Sequence, residues 1–172
     1  MSEQNREQIR EPIREHVREQ IRELIRETRE TKVRVAFELR RGSNSNGDPL
    51  ATPRTIDTGE PFLDHMVTTL ARHAGWSLAL EARGDLKHHL IEDVAITLGR
   101  AAFESAPRAI ARYGNRTVAM DDALVQAVLD FGGRAWYQGP LPSSLYDHWL
   151  RSFCEHAHCT LHLRVLRGKD RH

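Results

Sequence analysis

The chain has 172 residues with a formal net charge of +1, and 40% of its residues are hydrophobic. This length suits one domain with its own core, and the near-neutral charge excludes bulk electrostatic attraction to nucleic acid or anionic lipid. The sequence has no apolar run of membrane-span length and no N-terminal apolar leader, so the composition favours a cytoplasmic protein that binds neither nucleic acid nor membranes.

Residues 1–25 are predicted to form a low-complexity, charged N-terminal extension. Arg recurs at every fourth position from 6 to 26, and Ile or Val at every fourth position from 9 to 25. Because this period differs from the helical 3.6, an apolar stripe would drift around a helix, and Pro12 interrupts its first part. We predict a partly helical, solvated segment. The alternative is an amphipathic helix for a partner or a membrane surface, and the acid content argues against membrane binding.

Hydrophobic periodicity then predicts alternating strands and helices. Apolar residues alternate at 32–39, which indicates a half-buried strand, and residues 42–49 read as a loop. Residues 60–75 predict a helix, with Pro61 near its first turn and Gly75 just past its end. A second strand at 76–82 precedes a longer helix at 88–106, which stops at Pro107.

The remaining third of the chain continues this mixture. The pattern predicts two or three strands around a Gly-Gly turn at 116–139. It predicts a helix at 144–157 and a strand at 159–166. Cys154 and Cys159 are not in a C-x-x-C pair, so buried reduced thiols are expected. Because strand runs mix with single helices, the fold class is α+β, not a doubly wound sheet.

Two stretches, 63–89 and 146–172, repeat one pattern of helix, strand, Gly turn and His. The aligned pairs are Asp64 and Asp147, His65 and His148, His73 and His156, Ala74 and Ala157, Gly84 and Gly168, and His88 and His172. Two copies predict a duplicated domain whose halves face each other across a pseudo-twofold axis. The first copy continues into a long apolar helix, whereas the chain ends at His172, so the second half is expected to lack its last helix.

The 88–106 helix begins with an H-H-x-x-E motif. His88 and Glu92 are four residues apart and share a helix face, so they suit metal chelation. His89 lies about 100° around the helix, which suggests a second ion or a second site. Nitrogen and oxygen ligands favour Mn, Fe or Zn. A histidine pair at a helix start is also typical of a cap or a solvated face, but the repeat favours a shared site that includes His65, His88, His148 and His172.

Eight segments occur in order from Arg26 to His172: RETRET, TGEPFLDHM, HHLIEDVAITLG, IARYG, AMDDAL, GGRAW, DHWLRSF and TLHLRVLRGKDRH. In this order they resemble the imidazoleglycerol-phosphate dehydratase family of histidine biosynthesis. The resemblance implies duplicated half-domains, like domain 2 of ribosomal protein S5, with sheets packed on a helical layer. Residues 26–112 would form the first half and residues 113–172 an incomplete second half.

The activity that this resemblance implies is that of a manganese-dependent hydro-lyase. It would dehydrate D-erythro-imidazole-glycerol phosphate, a phosphorylated imidazole substrate, to imidazole-acetol phosphate. In the family two manganese ions lie at the subunit interfaces of a twenty-four-subunit shell, which implies a homo-oligomer. By position, the implied metal ligands are His65, His88, His89, Glu92, His148 and His172. The implied catalytic residues are Glu30, His65 and Glu92. The implied substrate-binding residues are Glu30, His65, Thr69, His73, His88, Glu92, Arg112 and Arg134.

The implied roles follow the chemistry of the side chains. Arg112 and Arg134 would contact the substrate phosphate, because a guanidinium fork matches phosphate geometry. Coordination by the metal would favour the deprotonated substrate ring, which can expel the neighbouring hydroxyl. Glu30 and a metal-bound group are the candidates for general acid–base work.

Some positions depart from the family pattern. Thr69 stands where Gln is common, Asp122 stands where Glu is usual, and the segment before His88 is shorter. The family's second His, its Glu and a substrate-binding Lys would follow His172, so ancestry in the family without normal turnover by this chain is expected. The leading hypothesis is the dehydratase. The alternatives are a truncated, non-catalytic metal-binding or assembly remnant and a metal-dependent hydrolase that uses the same His and Glu residues.

Overall fold

The structure is a computed structural model that describes residues 22–39, 55–107 and 109–168. Residues 1–21 of the N-terminal extension, the loop at 42–49 and His172 lie outside the described residues. Of the described helices, none combines the length and the apolar character that crossing a membrane requires.

Two four-stranded sheets share one strand order. The first sheet, in the spatial order β1-β2-β4-β3, contains β1 (Arg22–Glu27), β2 (Thr31–Leu39), β3 (Thr55–Asp57) and β4 (Trp76–Gly84). The second sheet, in the order β5-β6-β8-β7, contains β5 (Tyr113–Met120), β6 (Ala123–Phe131), β7 (Trp136–Gln138) and β8 (Cys159–Arg167). In both sheets three strands are antiparallel and the short edge strand is parallel to its neighbour. The topology therefore repeats with the sequence, as the duplication predicts.

In the described part of the chain three helices connect these strands: α1 (Pro61–Ala74), α2 (Lys87–Ser105) and α3 (Ser144–His156). Pro61 lies in the first turn of α1, and Gly75 ends it in the left-handed conformation with φ 69°, as the sequence predicts. The repeat-related residue after α3, His158, is also left-handed with φ 49°. A left-handed residue therefore occupies the same repeat position in both halves, although the residue type differs.

Helices α2 and α3 lie between the two sheets. Helix α2 packs on β1, β2 and β4 of the first sheet, whereas α3 packs against α2 and on β7 and β8 of the second. Val33, Val35 and Phe37 on β2 are fully buried. They pair in register with Ala82, Leu80 and Leu78 on β4, which are buried as well. Alternate residues of each strand thus form one wall of the core.

Gly99 is the point of close approach between α2 and α3. A Cβ atom at this position would lie 2.7 Å from the carbonyl oxygen of Phe153 and 3.1 Å from the amide nitrogen of Ala157. Both obstacles belong to the backbone of the α3 segment, so they cannot rotate away. The absence of a side chain at Gly99 therefore sets the spacing of the two helices that carry the site.

The second sheet is less covered than the first. Val118 and Val165 flank Val125 in the register of β5, β6 and β8, and they are 60% and 50% exposed. The residues of the first sheet that correspond to Val125 and Val165, which are Val33 and Ala82, are 0% and 1% exposed. The difference arises because α2 packs on three strands of the first sheet, while the described helical contacts of the second sheet come chiefly from α3 on β7 and β8, with Phe103 of α2 against Phe131 of β6.

Two strands differ from the sequence prediction. Residues 22–25, assigned to the extension, belong to β1, which pairs with β2; its alternating half-buried residues are Leu24 and Arg26. Strand β3 was missed because three residues are too few for a periodic signal. Cys154 and Cys159 are buried free thiols, which confirms the prediction for them.

Candidate metal and substrate site

His88, Glu92 and His148 form a cluster in which one possible ligand atom from each residue lies within 4.8 Å of the others. Glu92 Oε2 is 3.7 Å from His88 Nε2, and Glu92 Oε1 is 3.3 Å from His148 Nε2. The two imidazole rings are stacked, with centroids 5.3 Å apart and planes inclined by 13°. The cluster thus combines two nitrogen donors with a carboxylate.

Both halves of the chain contribute to this cluster. His88 and Glu92 lie one turn apart at the start of α2, and His148 lies in the second turn of α3. The close packing of α2 on α3 brings them together. The Nε2 atom of His148 is buried and has no hydrogen-bond partner among the described residues. A buried polar atom without a partner is costly, so this donor set fits a cation.

His89 points to a different group of side chains. Its Nδ1 atom lies 3.1 Å from Asp85 Oδ1 and 3.5 Å from Glu30 Oε2. The hydrogen bond with Asp85 is the main cause that raises the pKa of His89 above its ordinary value, and the negative charge of Glu30 adds to it. The same hydrogen bond lowers the pKa of Asp85. The adjacent residues His88 and His89 thus contact different side chains.

A cleft of about 180 Å³ lies between the turn that follows β1 and the first turns of α2. Its lining includes Glu30 and His89 from the two sides, together with Glu92 from the cluster. The cleft therefore connects the His89 surroundings with the His88–Glu92–His148 cluster.

Helix α1 presents three of the sequence-predicted residues on one face. His65, Thr69 and His73 are spaced by four residues, and His65 and His73 are exposed while Thr69 is half-buried. The start of α1 is anchored by Asp64, whose Oδ1 accepts hydrogen bonds from the Thr58 amide at 2.9 Å and hydroxyl at 2.6 Å. His65, Thr69 and His73 thus form an accessible row on α1, separate from the His88–Glu92–His148 cluster.

Arg112 and Arg134 lie at one corner of the second sheet. Arg112 donates two hydrogen bonds to the carboxylate of Asp130, from Nε at 2.6 Å and from Nη2 at 2.9 Å. This pairing lowers the pKa of Asp130. A Cβ atom on Gly133 would lie 3.2 Å from Arg112 Nη2, so the glycine before Arg134 makes room for the guanidinium. Within the described residues, no ion pair joins Arg112 or Arg134 to Glu92.

Two acidic residues of this region were missed by the sequence interpretation. Asp85 is four residues before His89, a spacing that could have indicated the contact. Asp93 interrupts the buried face of α2 and is only 6% exposed. A charged residue among apolar helix positions is a signal of a buried partner. His172 falls outside the described residues, so its predicted ligand role stays a prediction.

A family model described as imidazoleglycerol-phosphate dehydratase matches residues 58–172. The chain belongs to this family. A dehydratase of Salinibacter ruber is 41% identical over 160 residues, which cover 84% of this chain and 75% of that protein. The histidine biosynthesis bifunctional protein HisB of Stenotrophomonas maltophilia is 38% identical over 161 residues. The match covers 85% of this chain and 42% of HisB, so the chain spans less than half of that bifunctional relative.

Solved structures of the family share the fold. The dehydratase of Pyrococcus furiosus, solved in complex with (S)-C348, matches with a TM-score of 0.72 and 29% identity. That match covers 86% of this chain and 82% of the other. The Staphylococcus aureus enzyme matches with a TM-score of 0.66 and 24% identity, and it supports the fold alone. The duplicated α+β fold expected from the sequence is thereby confirmed.

Proposed function

We propose that this chain carries a dehydratase site that converts D-erythro-imidazole-glycerol phosphate to imidazole-acetol phosphate in histidine biosynthesis. The observation that carries the proposal is the His88–Glu92–His148 cluster, whose ligand atoms lie within 4.8 Å of one another in a chain of this family. A cluster of imidazole and carboxylate donors at a helix–helix contact suits a substrate whose own reactive part is an imidazole ring.

The cofactor in this proposal is Mn²⁺, with two ions per site. Imidazole and carboxylate ligands without thiolate suit Mn²⁺, and the buried Nε2 of His148 supports a cation at the cluster. Bound Mn²⁺ would stabilise the deprotonated form of the substrate's imidazole ring. The proposed ligands are His65, His88, His89, Glu92, His148 and His172.

The chain's own side chains supply proton transfer and binding in the proposal. The exposed carboxylate of Glu30 borders the cleft beside His89 and is suited to take or return a proton. His65, Thr69 and His73 would contact the substrate from the accessible face of α1. Arg112 uses two of its donors on Asp130, which leaves others for a phosphate, and Arg134 would add a second guanidinium.

The organisation of the whole protein completes the proposal. We place the boundary between the two half-domains after residue 112, since β5, the first strand of the second sheet, begins at Tyr113. The family resemblance and the exposed apolar side chains of the second sheet support a homo-oligomer. Membership of a family of biosynthetic enzymes supports a cytoplasmic location.

The test compares this chain with a version that is extended by the second H-x-x-E helix of the family. Both are supplied with Mn²⁺ and imidazoleglycerol phosphate, and formation of imidazole-acetol phosphate is measured. Turnover by both supports the proposal. Turnover by the extended version alone supports the sequence-based expectation that the second motif is required. Mn²⁺ binding without turnover in either supports a non-catalytic remnant and contradicts the proposed activity.

Variants of this chain connect the result to the cluster. Glu92→Gln is expected to weaken Mn²⁺ binding by about tenfold or more, because it removes the charged ligand between the two imidazoles. Glu155→Gln removes an exposed carboxylate of α3 and is the matched control. Equal Mn²⁺ affinity in both variants would exclude the cluster as the metal site.

A further inference from the structure

We propose that Asp93 is a positioning residue: it fixes the turn between β1 and β2 and thereby places Glu30 against His89. The inference deepens the proposed function and rests on it for the role of Glu30. Its structural part concerns the turn itself and stands on contacts within the chain.

Asp93 is a buried carboxylate whose two oxygens are both occupied. Arg26 Nε donates to Asp93 Oδ1 at 2.7 Å, and the Thr31 hydroxyl donates to Asp93 Oδ2. Burying a carboxylate is costly unless it is paired and hydrogen-bonded, and here both conditions are met. Because both oxygens have strong donors, Asp93 is suited to hold its neighbours and not to react with a substrate.

The two partners of Asp93 lie on either side of the turn. Arg26 is on β1 and Thr31 begins β2, so one side chain of α2 ties both strands where the chain reverses. The partners are 67 and 62 residues away from Asp93 along the sequence. The Asp93 contacts are thus the long-range anchor of the turn.

Local hydrogen bonds complete the conformation of the turn. The Thr28 hydroxyl oxygen accepts hydrogen bonds from the Thr31 amide at 2.9 Å and the Glu30 amide at 3.2 Å. The Asp85 amide donates to the Glu30 carbonyl at 3.0 Å. The backbone of Glu30 is therefore held from two directions, and its carboxylate reaches to 3.5 Å from His89 Nδ1.

The arrangement explains why Asp93 follows Glu92 directly. Consecutive residues of a helix point about 100° apart, so Glu92 belongs to the His88–Glu92–His148 cluster, whereas Asp93 contacts the turn between β1 and β2. Glu30, His89, Glu92 and Asp93 line the same cleft. One segment of α2 thereby supplies the proposed ligands, and it also holds the turn between β1 and β2 that forms the opposite wall of the cleft.

Amide hydrogen exchange in the full chain tests the structural part. Asp93→Asn is expected to speed exchange of the Glu30 and Thr31 amides about tenfold, because a charged anchor is lost. Glu23→Gln is the matched control: it removes an exposed ion pair with Arg34 between the same two strands, away from the turn. The control is expected to leave these amides unchanged.

Turnover tests the positioning part. Asp93→Asn is expected to lower kcat about tenfold or more, because Glu30 is misplaced, and to leave Mn²⁺ affinity within about threefold. Thr31→Val replaces the hydroxyl with a methyl group and serves if Asp93→Asn fails to fold. Thr31→Ser keeps the hydroxyl and is expected to restore both the slow exchange and kcat, which a general loss of stability would not do.

The outcomes separate this inference from the proposed function. Unchanged amide exchange in the folded Asp93→Asn or Thr31→Val variant overturns the role of Asp93 in the turn. Faster exchange with unchanged kcat overturns positioning of Glu30 for catalysis. If neither the unaltered chain nor the extended version turns over the substrate, the proposed function fails, and the exchange data alone still decide whether Asp93 fixes the turn.

Discussion

Glu92 shares its carboxylate between imidazoles from the two halves of the chain. Oε2 faces His88 on its own helix, and Oε1 faces His148 on α3. The spacing of four residues predicted the first contact, because a helix places such residues on one face. The internal repeat, which aligned His148 with His65, predicted only that His148 and His88 share a site. The helix crossing that brings His148 to Glu92 depends on tertiary packing, which no local pattern reveals.

The Asp85–His89 pair gives the first pH prediction. The pKa of His89 is raised above its ordinary 6.5, so the contribution of its protonated ring to stability is fully present from pH 6.5 down to the range where Asp85 titrates, and it is lost as pH rises through the folded-state pKa of His89. The pKa of Asp85 is lowered below 3.8, so its contribution is lost when pH falls through that lowered value. The pair is therefore fully formed at mildly acidic pH.

NMR titration of the His89 ring in chelator-treated protein checks this prediction. Asp85→Asn is expected to lower the pKa of His89, because the largest cause of its rise is removed. The control is Asp57→Asn, which breaks an exposed pair with Arg83 elsewhere on the first sheet. An identical His89 titration in Asp85→Asn and the unaltered chain would contradict the assignment.

At the scale of elements, the contact between α2 and α3 depends on Gly99. Gly99→Ala is expected to lower the free energy of unfolding by about 1 kcal/mol, because overpacking against backbone costs about 1–3 kcal/mol and helix propensity returns only about 1. The added methyl group would also separate Glu92 from His148 and weaken Mn²⁺ binding.

Chemical denaturation and Mn²⁺ titration measure these two effects. Gly114→Ala is the control, because a Cβ atom there meets nothing within 4 Å and the backbone is ordinary. Unchanged stability and unchanged metal affinity in Gly99→Ala would show that the two helices can separate without cost.

The three helices were predictable because each has a strong local signal. Apolar periodicity marked all three, and Pro61 and Gly75 marked the ends of α1. Strand β1 was missed because its residues continue a four-residue repeat, whereas its pairing depends on β2. The Asp93 contacts were missed for a similar reason, since Arg26 lies 67 residues away. Local patterns therefore identified elements better than the contacts between them.

At the scale of the whole molecule, the two repeat-related sheets lie in different environments. Leu80 on β4 and Leu163 on β8 occupy related positions of the repeat, but Leu80 is fully buried and Leu163 only half-buried. Leu80→Ala is expected to lower the free energy of unfolding by about 2–5 kcal/mol, the usual cost of a cavity in a core. In the isolated chain Leu163→Ala is expected to cost less, because part of its surface already contacts water.

Thermal or chemical denaturation of both variants at one protein concentration checks this prediction. Each variant is the other's matched control, because residue type, strand position and repeat register are the same. Equal losses would indicate that the second sheet is covered in solution, for example by another copy of the chain.

The shared cluster also links binding to folding. Because Glu92 and His148 come from different halves, a cation that bridges them stabilises only conformations in which α2 and α3 are docked. At a free concentration of one hundred times Kd this linkage is worth about 2.7 kcal/mol. The metal would then act as a cross-link between the two copies of an ancient duplication, and their cooperativity would depend on metal supply.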